Sequence, residues 1–158
     1  CYRRQRQMCI RDRFYAWLAD EGIFSQHILY SPDEVARFET LRGAGIIRES
    51  TPFVLFVLGR YTADLRGDMT ALPAYLDMAK SDTVWAVCSF GETEHEAAAF
   101  SASHQGHVRV GFENNLLMPD GLQAGDNTAL VRVAVSAAGD RPTATASQVR
   151  AMFGLDTP

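Results

Sequence analysis

Residues 106–115 read Gly-His-Val-Arg-Val-Gly-Phe-Glu-Asn-Asn, and they form the most informative segment of the chain. A strand over 107–113 would turn its two valines and its phenylalanine to one face, because successive side chains alternate between the faces. The opposite face would carry Arg109 and Glu113, with Gly111 between them. An Asn-Asn pair and a Pro-Asp-Gly turn follow, so this charged face reaches the end of a strand next to a loop. Barrels of parallel strands place their chemistry at that position.

Strand and helix patterns alternate along the rest of the chain. The strand patterns are short apolar runs over 26–30, 52–58, 83–90 and 107–113. The helix patterns cover 14–21, 31–41, 69–80, 92–105, 127–138 and 143–153. The second of these helices has a strong start, because Ser31 can cap it, Pro32 suits its first position and Glu34 can complete a capping box. Strands that are apolar on both faces are typical of parallel sheets, so the order predicts an α/β fold.

Two architectures use this order of elements, the doubly wound sheet and the (β/α)8 TIM barrel. No Gly-x-Gly-x-x-Gly fingerprint follows any strand pattern, which disfavours a dinucleotide-binding fold. The 158 residues are a little over half of the ~250 residues that a full barrel needs. We therefore predict one barrel domain that is cut by truncation.

The first thirteen residues look foreign to the rest of the chain. Residues 8–13 back-translate to a string that resembles the end of a transposon adapter used for sequencing libraries, and residues 1–5 resemble the same adapter in another frame. We predict that 1–13 are a non-native leader and that 14–158 are the C-terminal portion of a single TIM-barrel domain. The alternative is a natural basic arm that binds nucleic acid or a membrane surface.

Composition disfavours nucleic-acid-binding, membrane-spanning and disulfide-bonded proteins. The net charge of -4 becomes more negative without the arginine-rich leader, which disfavours a nucleic-acid partner. No apolar run approaches the ~18 residues needed to cross a bilayer, so no membrane segment is expected. Two of the three cysteines lie in the leader, and Cys88 stands alone in an apolar run. This usage predicts a reduced, cytoplasmic protein in which Cys88 is a small core residue rather than a nucleophile.

The segment 107–116 resembles the signature of the β-keto acid cleavage enzymes, a family that includes 3-keto-5-aminohexanoate cleavage enzyme. Other segments are similar to the family's sixth strand, seventh strand, eighth helix and ending, namely 56–59, 85–91, 126–131 and 141–155. The resemblance implies a zinc-dependent TIM barrel of which this chain is the second half, about strands 5–8 with their helices. It also implies that a β-keto acid and acetyl-CoA react to give acetoacetate and a new acyl-CoA.

The resemblance also implies roles for individual residues. Glu113 matches the family's zinc-binding glutamate, whose partner ligands are two histidines of a His-x-His on an earlier strand. Arg109 matches the catalytic arginine. Asn114 stands where the family usually has an acidic residue, which is thought to abstract a proton together with the arginine. An amide cannot act as a carboxylate base, so either another base serves or Asn114 only orients the substrate by hydrogen bonds.

The first strand pattern bears on substrate choice. Gln26 and Ile28 lie where the family tends to place acidic, substrate-selecting residues. Neither side chain is acidic, so a cationic amino-keto acid is not expected as the substrate. The alternative is that both are packing residues.

Several alternatives remain open from the sequence. Arg109 and Glu113 could form a purely structural ion pair. The chain contains no His-x-His, so it is expected to be inactive alone, and it could instead be a non-catalytic interaction module derived from a barrel. A phosphate-binding aldolase is disfavoured, because Lys80 is the only lysine and lies at a helix end. Unpaired strand edges invite self-association, so a homo-oligomer is expected.

Overall fold

The computed structural model describes residues 2–155, and for residues 2–9 and 11 it describes the backbone alone. Four parallel strands form one sheet in the order β1-β2-β3-β4: β1 Gln26–Leu29, β2 Phe53–Leu58, β3 Val84–Ser89 and β4 His107–Val108. Six helices accompany them: α1 Tyr2–Asp20, α2 Pro32–Gly43, α3 Leu72–Met78, α4 Glu94–Ser103, α5 Asn127–Ala137 and α6 Ala146–Met152. Single 3-10 turns, Met69–Ala71 and Gly91–Thr93, lead into α3 and α4. The predicted α/β class and the parallel sheet are confirmed, whereas the half-barrel stays a prediction.

The predicted N-cap and first-position proline of α2 are confirmed, whereas the predicted capping box is not formed. The Ser31 hydroxyl accepts a hydrogen bond from the Glu34 backbone N–H at 3.3 Å, and Pro32 occupies the first helical position. The Glu34 carboxylate accepts from the Tyr30 backbone N–H at 2.7 Å, one residue before the position that a standard capping box uses. The first of these bonds satisfies a donor that a helix leaves free at its first turn.

The two faces of the sheet have different environments. One face packs against α2, α3 and α4 through Val54, Phe56 and Val87, which are buried. The opposite face buries a second cluster, Leu55, Val57, Ala86, Cys88 and Phe90, with Phe53 and Tyr30 at its margins. Because both faces are apolar, β2 and β3 show no alternation in sequence. Cys88 is fully buried in the second cluster, as predicted for a core cysteine.

The last strand is much shorter than its sequence pattern predicts. Pairing with β3 ends with the Arg109 backbone N–H, which donates to the Val87 carbonyl at 2.9 Å. Gly111 then adopts φ 138°, and the Asn114 backbone N–H donates to the Gly111 carbonyl at 2.8 Å. The prediction of a strand to Glu113 is therefore wrong beyond this point, because the chain turns at a glycine that tolerates positive φ. Phe112, predicted to share the apolar face, is 40% exposed.

The predicted boundaries of three helices also shift. The segment 69–80 is a 3-10 turn followed by α3, the segment 92–105 begins with a 3-10 turn before α4, and the last helix begins only after Thr145. The reason in the last case is local, because Thr145 caps the helix with a full capping box to Gln148.

The predicted leader has no visible boundary in the fold. Helix α1 continues from Tyr2 to Asp20 across the junction between residues 13 and 14. The origin of residues 1–13 therefore stays a prediction, and Cys1 and residues 156–158 lie outside the described residues. Within the described part, no helix is both long enough and apolar enough to cross a membrane.

Candidate functional site

The loops that follow the strands meet at the carboxyl-terminal edge of the sheet. The loop after β2 folds back over the end of β3, where the Gly67 backbone N–H donates to the Phe90 carbonyl at 2.9 Å. This approach requires a glycine, since a Cβ atom on Gly67 would lie 2.0 Å from the Ser89 hydroxyl oxygen. The Gly91 backbone N–H in turn donates to the Asn114 carbonyl at 2.9 Å. The edge is thus a connected surface rather than a set of independent loops.

The Arg109 guanidinium is the centre of the predicted site residues. Its Nη2 atom lies 3.1 Å from the Asn114 amide oxygen, 3.5 Å from the Glu113 carboxylate and 3.2 Å from the Cys88 sulfur. The structure therefore brings together the three residues predicted at the end of the last strand. It does so through a turn, because Glu113 lies four residues from Arg109 in the turn after β4.

Glu113 and Asn114 have opposite environments. The Glu113 side chain is 70% exposed, so a bound ion could reach its carboxylate. The predicted alternative, an ion pair with Arg109, is present, but the exposure of both side chains makes it a weak contribution to stability. Asn114 is buried, and its amide nitrogen donates to the Arg109 carbonyl at 3.0 Å. Its amide thus bonds to both the backbone and the side chain of the same arginine.

A buried carboxylate, Glu94, lies behind this turn and was not identified from the sequence. It is 1% exposed and accepts hydrogen bonds from the Gly111 backbone N–H at 3.0 Å and from the Asn114 and Asn115 side-chain amides at 3.3 Å each. Burial raises the pKa of Glu94, and these hydrogen bonds lower it only in part. The sequence shows only an acidic residue in the first turn of a helix, a place that usually faces solvent.

Two further contacts hold the turn in place. The Asn115 side chain forms a closed pair of bonds with the Leu117 backbone, accepting from its N–H at 2.9 Å and donating to its carbonyl at 2.7 Å. The Phe112 backbone N–H donates to the Asn127 side-chain oxygen at 2.8 Å, at the first residue of α5. The turn is therefore anchored to both flanking helices, α4 and α5.

Gln26 and Ile28 lie on β1, at the opposite edge of the sheet from Arg109. They share the face of the sheet that carries Cys88 and Arg109, because Ile28 is paired in register with Leu55 of the second cluster. Gln26 is exposed and Ile28 is 45% exposed, so both face open space on that side. The structure thus places Gln26 and Ile28 on the same face of the sheet as Arg109, with β2 and β3 between them and the arginine.

Tyr30 directly follows β1 and packs against the second cluster, on the same face of the sheet. Burial raises the pKa of Tyr30, the neighbouring Tyr61 raises it further, and the positive charges of Arg60 and Arg109 oppose this rise. The two tyrosine rings are 4.9 Å apart. They line a cavity of about 290 Å³ at the ends of β1 and β2, together with Arg60, Thr62, Asp68 and Tyr75.

The residues of the site fit a zinc ion only in part. A protein zinc site uses at least three side-chain ligands in most enzymes. Among the described residues, no group of three or more His, Cys, Asp or Glu side chains could hold a metal ion. Glu113 is an accessible carboxylate, so the described residues offer one ligand at this place and do not make a complete zinc site.

Comparisons with known proteins agree with the motif at the end of β4. A family model for beta-keto acid cleavage enzyme matches residues 5–155. The chain is 33% identical over 106 residues to a 3-keto-5-aminohexanoate cleavage enzyme from Acetoanaerobium sticklandii, a match that covers 63% of this chain and 37% of that protein. It is 35% identical over 75 residues to an enzyme of the same name from Fusobacterium nucleatum subsp. nucleatum, covering 46% of this chain and 28% of that protein. The chain spans about a third of the length of these curated relatives.

Proposed function

This chain belongs to the β-keto acid cleavage enzyme family, and from that premise we propose that it forms part of an enzyme that cleaves a β-keto acid with acetyl-CoA, giving acetoacetate and a new acyl-CoA. The observation that carries the proposal is the arrangement at the end of β4. One guanidinium group there contacts both a buried amide and an exposed carboxylate. All three groups belong to the segment that resembles the family signature.

Arg109 is the residue that would meet the substrate. Its side chain is 38% exposed, so the guanidinium can present N–H donors to the carboxylate of a β-keto acid while Nη2 stays on Asn114. A fixed cation at this place would also stabilise negative charge that develops as the carbon–carbon bond breaks. Positive charge held in advance stabilises such a transition state without reorganisation of the protein.

Asn114 would act on the arginine rather than on the substrate. It is 7% exposed, and both ends of its amide bond to Arg109, so it has little surface to offer a ligand. This supports a role in orientation by hydrogen bonds and leaves the proton-abstracting base to another group.

Zinc and acetyl-CoA are part of the proposal through the family resemblance. When bound, the zinc ion would polarise the keto and carboxylate oxygens of the substrate as a Lewis acid. Glu113 would supply one ligand, and two histidines would have to come from residues outside this chain. We therefore also propose that the chain alone is inactive.

The substrate itself is proposed only by class. Gln26 and Ile28 put a neutral amide and an aliphatic group on the open face of β1. This lining favours a β-keto acid whose side chain carries no positive charge. A carboxylate lining would be expected for an amino-substituted substrate, because a cation needs a countercharge when it leaves water.

A second candidate function is a non-catalytic interaction module. It is favoured by one observation, that the described residues supply only one accessible zinc ligand near Arg109. The two candidates differ in whether the gene from which this chain derives also encodes the two zinc-binding histidines. A His-x-His on an early strand supports the enzyme, and its absence supports the module.

The direct test is an acetoacetate-release assay on the protein encoded by the complete parent gene, with acetyl-CoA and a panel of neutral, anionic and cationic β-keto acids. The proposal expects turnover of a neutral or anionic substrate and a large loss in the Arg109→Lys variant. No turnover of any β-keto acid by a folded, zinc-loaded protein would refute it. The 158-residue chain serves as the control that is expected to be inactive.

A further inference from the structure

The carboxylate of Glu94 has an unusual set of partners for a buried acid. Oε2 accepts from the Gly111 backbone N–H and from the Asn114 amide, and Oε1 accepts from the Asn115 amide. Each of these donors is neutral. A buried carboxylate without a cation is costly unless several hydrogen bonds satisfy it.

The acceptor-only chemistry of Glu94 acts together with the Arg109 backbone carbonyl, which accepts from the same amide nitrogen at 3.0 Å, to set which way the Asn114 amide faces. An ionised carboxylate accepts hydrogen bonds and cannot donate, so the amide must turn its nitrogen toward Glu94. The oxygen is then left for the Arg109 guanidinium, 3.1 Å away, which can only donate. The reversed amide would place oxygen against carboxylate and N–H against guanidinium. Both contacts would be repulsive, so a single orientation is selected.

We propose that Glu94 is a positioning residue of this site, which fixes the amide of Asn114 so that its oxygen holds the Arg109 guanidinium in place. The effect on a substrate rests on the proposed function of Arg109. The coupling between the side chains of Glu94, Asn114 and Arg109 does not depend on that function. The arginine has 38% of its side chain exposed, and without a fixed partner it would sample other rotamers. A misplacement of ~1 Å at a reacting group can lower a rate by about a hundredfold.

A merely structural role for Glu94 makes a different prediction. In that case the carboxylate would only satisfy the Gly111 N–H and the Asn115 amide, and its removal would lower stability without moving Arg109. The hydrogen bond from Asn114 distinguishes the two roles. Of the three groups that donate to Glu94, Asn114 is the one whose side chain also bonds to the Arg109 guanidinium.

The test is a double-mutant cycle on the 158-residue chain, read by the NMR signals of the Arg109 side-chain N–H groups and the Asn114 amide. Glu94→Gln is expected to shift both sets of signals, because the new amide cannot accept on both sides. Asn114→Ala is expected to shift the Arg109 signals in the same way. In the Asn114→Ala background, Glu94→Gln should have no further effect on Arg109. The matched control is Glu96→Gln, an exposed acid on the same helix.

Unchanged Arg109 signals in a folded Glu94→Gln chain would overturn the inference, as would effects of the two substitutions that simply add. If Glu94→Gln does not fold, Glu94→Asp takes its place in the cycle, because the shorter side chain withdraws the carboxylate from the Asn114 amide while it keeps the charge. Unchanged Arg109 signals in that variant would also overturn the inference. In the parent enzyme, Glu94→Gln should lower kcat by about tenfold or more with a smaller change in KM. The NMR result stands even if that enzyme proves to have another activity.

Discussion

The Nη2 atom of Arg109 lies 3.1 Å from the side-chain oxygen of Asn114, and this contact joins an exposed cation to the buried interior of the chain. Asn114 follows Glu113 in sequence, and both side chains approach the same Nη2 atom, yet their environments differ. Glu113 is exposed to solvent, whereas Asn114 is 7% exposed and bonded to the protein. The turn at Gly111 makes this possible, since a continued strand would not bring residues 109, 113 and 114 around one group.

In the longer enzyme that we propose, replacement of Arg109 by lysine should abolish most activity with little effect on folding. A lysine keeps the charge but loses the planar set of donors that can bond to Asn114 and a substrate carboxylate together. We expect kcat/KM to fall by roughly a hundredfold or more. Acetoacetate release measures the activity, and thermal unfolding measures the fold. Arg132→Lys, an exposed position on α5, should leave both unchanged.

A zinc titration of the 158-residue chain should show only weak binding. The described residues offer Glu113 as one accessible ligand near Arg109, and a single carboxylate does not hold zinc tightly in water. Isothermal titration calorimetry measures the affinity and the stoichiometry. One zinc bound per chain at micromolar or tighter affinity, and lost in Glu113→Gln, would contradict the claim that further ligands are needed.

Replacement of Gly67 by alanine should destabilise the edge of the sheet. The added Cβ would lie 2.0 Å from the Ser89 hydroxyl and 2.9 Å from the Thr93 hydroxyl, so the loop after β2 must move away from β3. We expect a loss of roughly 1–3 kcal/mol in the free energy of unfolding. Urea denaturation measures this loss. Gly125→Ala is the matched control, because a Cβ there meets no atom within 4 Å, and an equal loss in both variants would count against the prediction.

The stability of the chain should fall in acid partly through Glu49. Burial alone would raise the pKa of this carboxyl group, but hydrogen bonds from His27 and Ser25 outweigh burial and hold the pKa at about 2. A folded pKa below the unfolded value stabilises the fold above pH ~4.3, and this stabilisation is lost as the pH falls from there toward 2.

The measurement for Glu49 is the free energy of unfolding in urea between pH 7 and pH 3. The Glu49→Gln variant should lose less stability over this range than the unmodified chain, since an amide does not titrate. Glu96→Gln, at an exposed position, should follow the unmodified chain. Identical acid dependence in the Glu49→Gln variant would show that the carboxylate does not contribute.

The succession of strands and helices along the chain could be predicted from the sequence, because each element depends on the chemistry of neighbouring residues. Apolar runs that stop at a glycine predicted β2 and β3, and the segment Ser31-Pro32-Asp33-Glu34 predicted the start of α2 through its N-cap and proline. The alternation of strands and helices predicted a parallel sheet, because strands apolar on both faces must be covered on both. The segment around Arg109 identified the family, which the comparison over residues 5–155 confirmed.

The sequence by itself therefore determined which segments form strands and helices and which family the chain belongs to. Only the tertiary structure decided where β4 ends and what surrounds Arg109. Strand periodicity predicted Glu113 on the same face of a strand as Arg109. The structure instead has a turn after Arg109, in which the Gly111 N–H donates to the carboxylate of Glu94, seventeen residues before Gly111. Burial of Glu94 has no signature in sequence, because an acid in the first turn of a helix is equally suited to solvent. Hydrogen bonds between distant segments, and not local preference, set the geometry of the site.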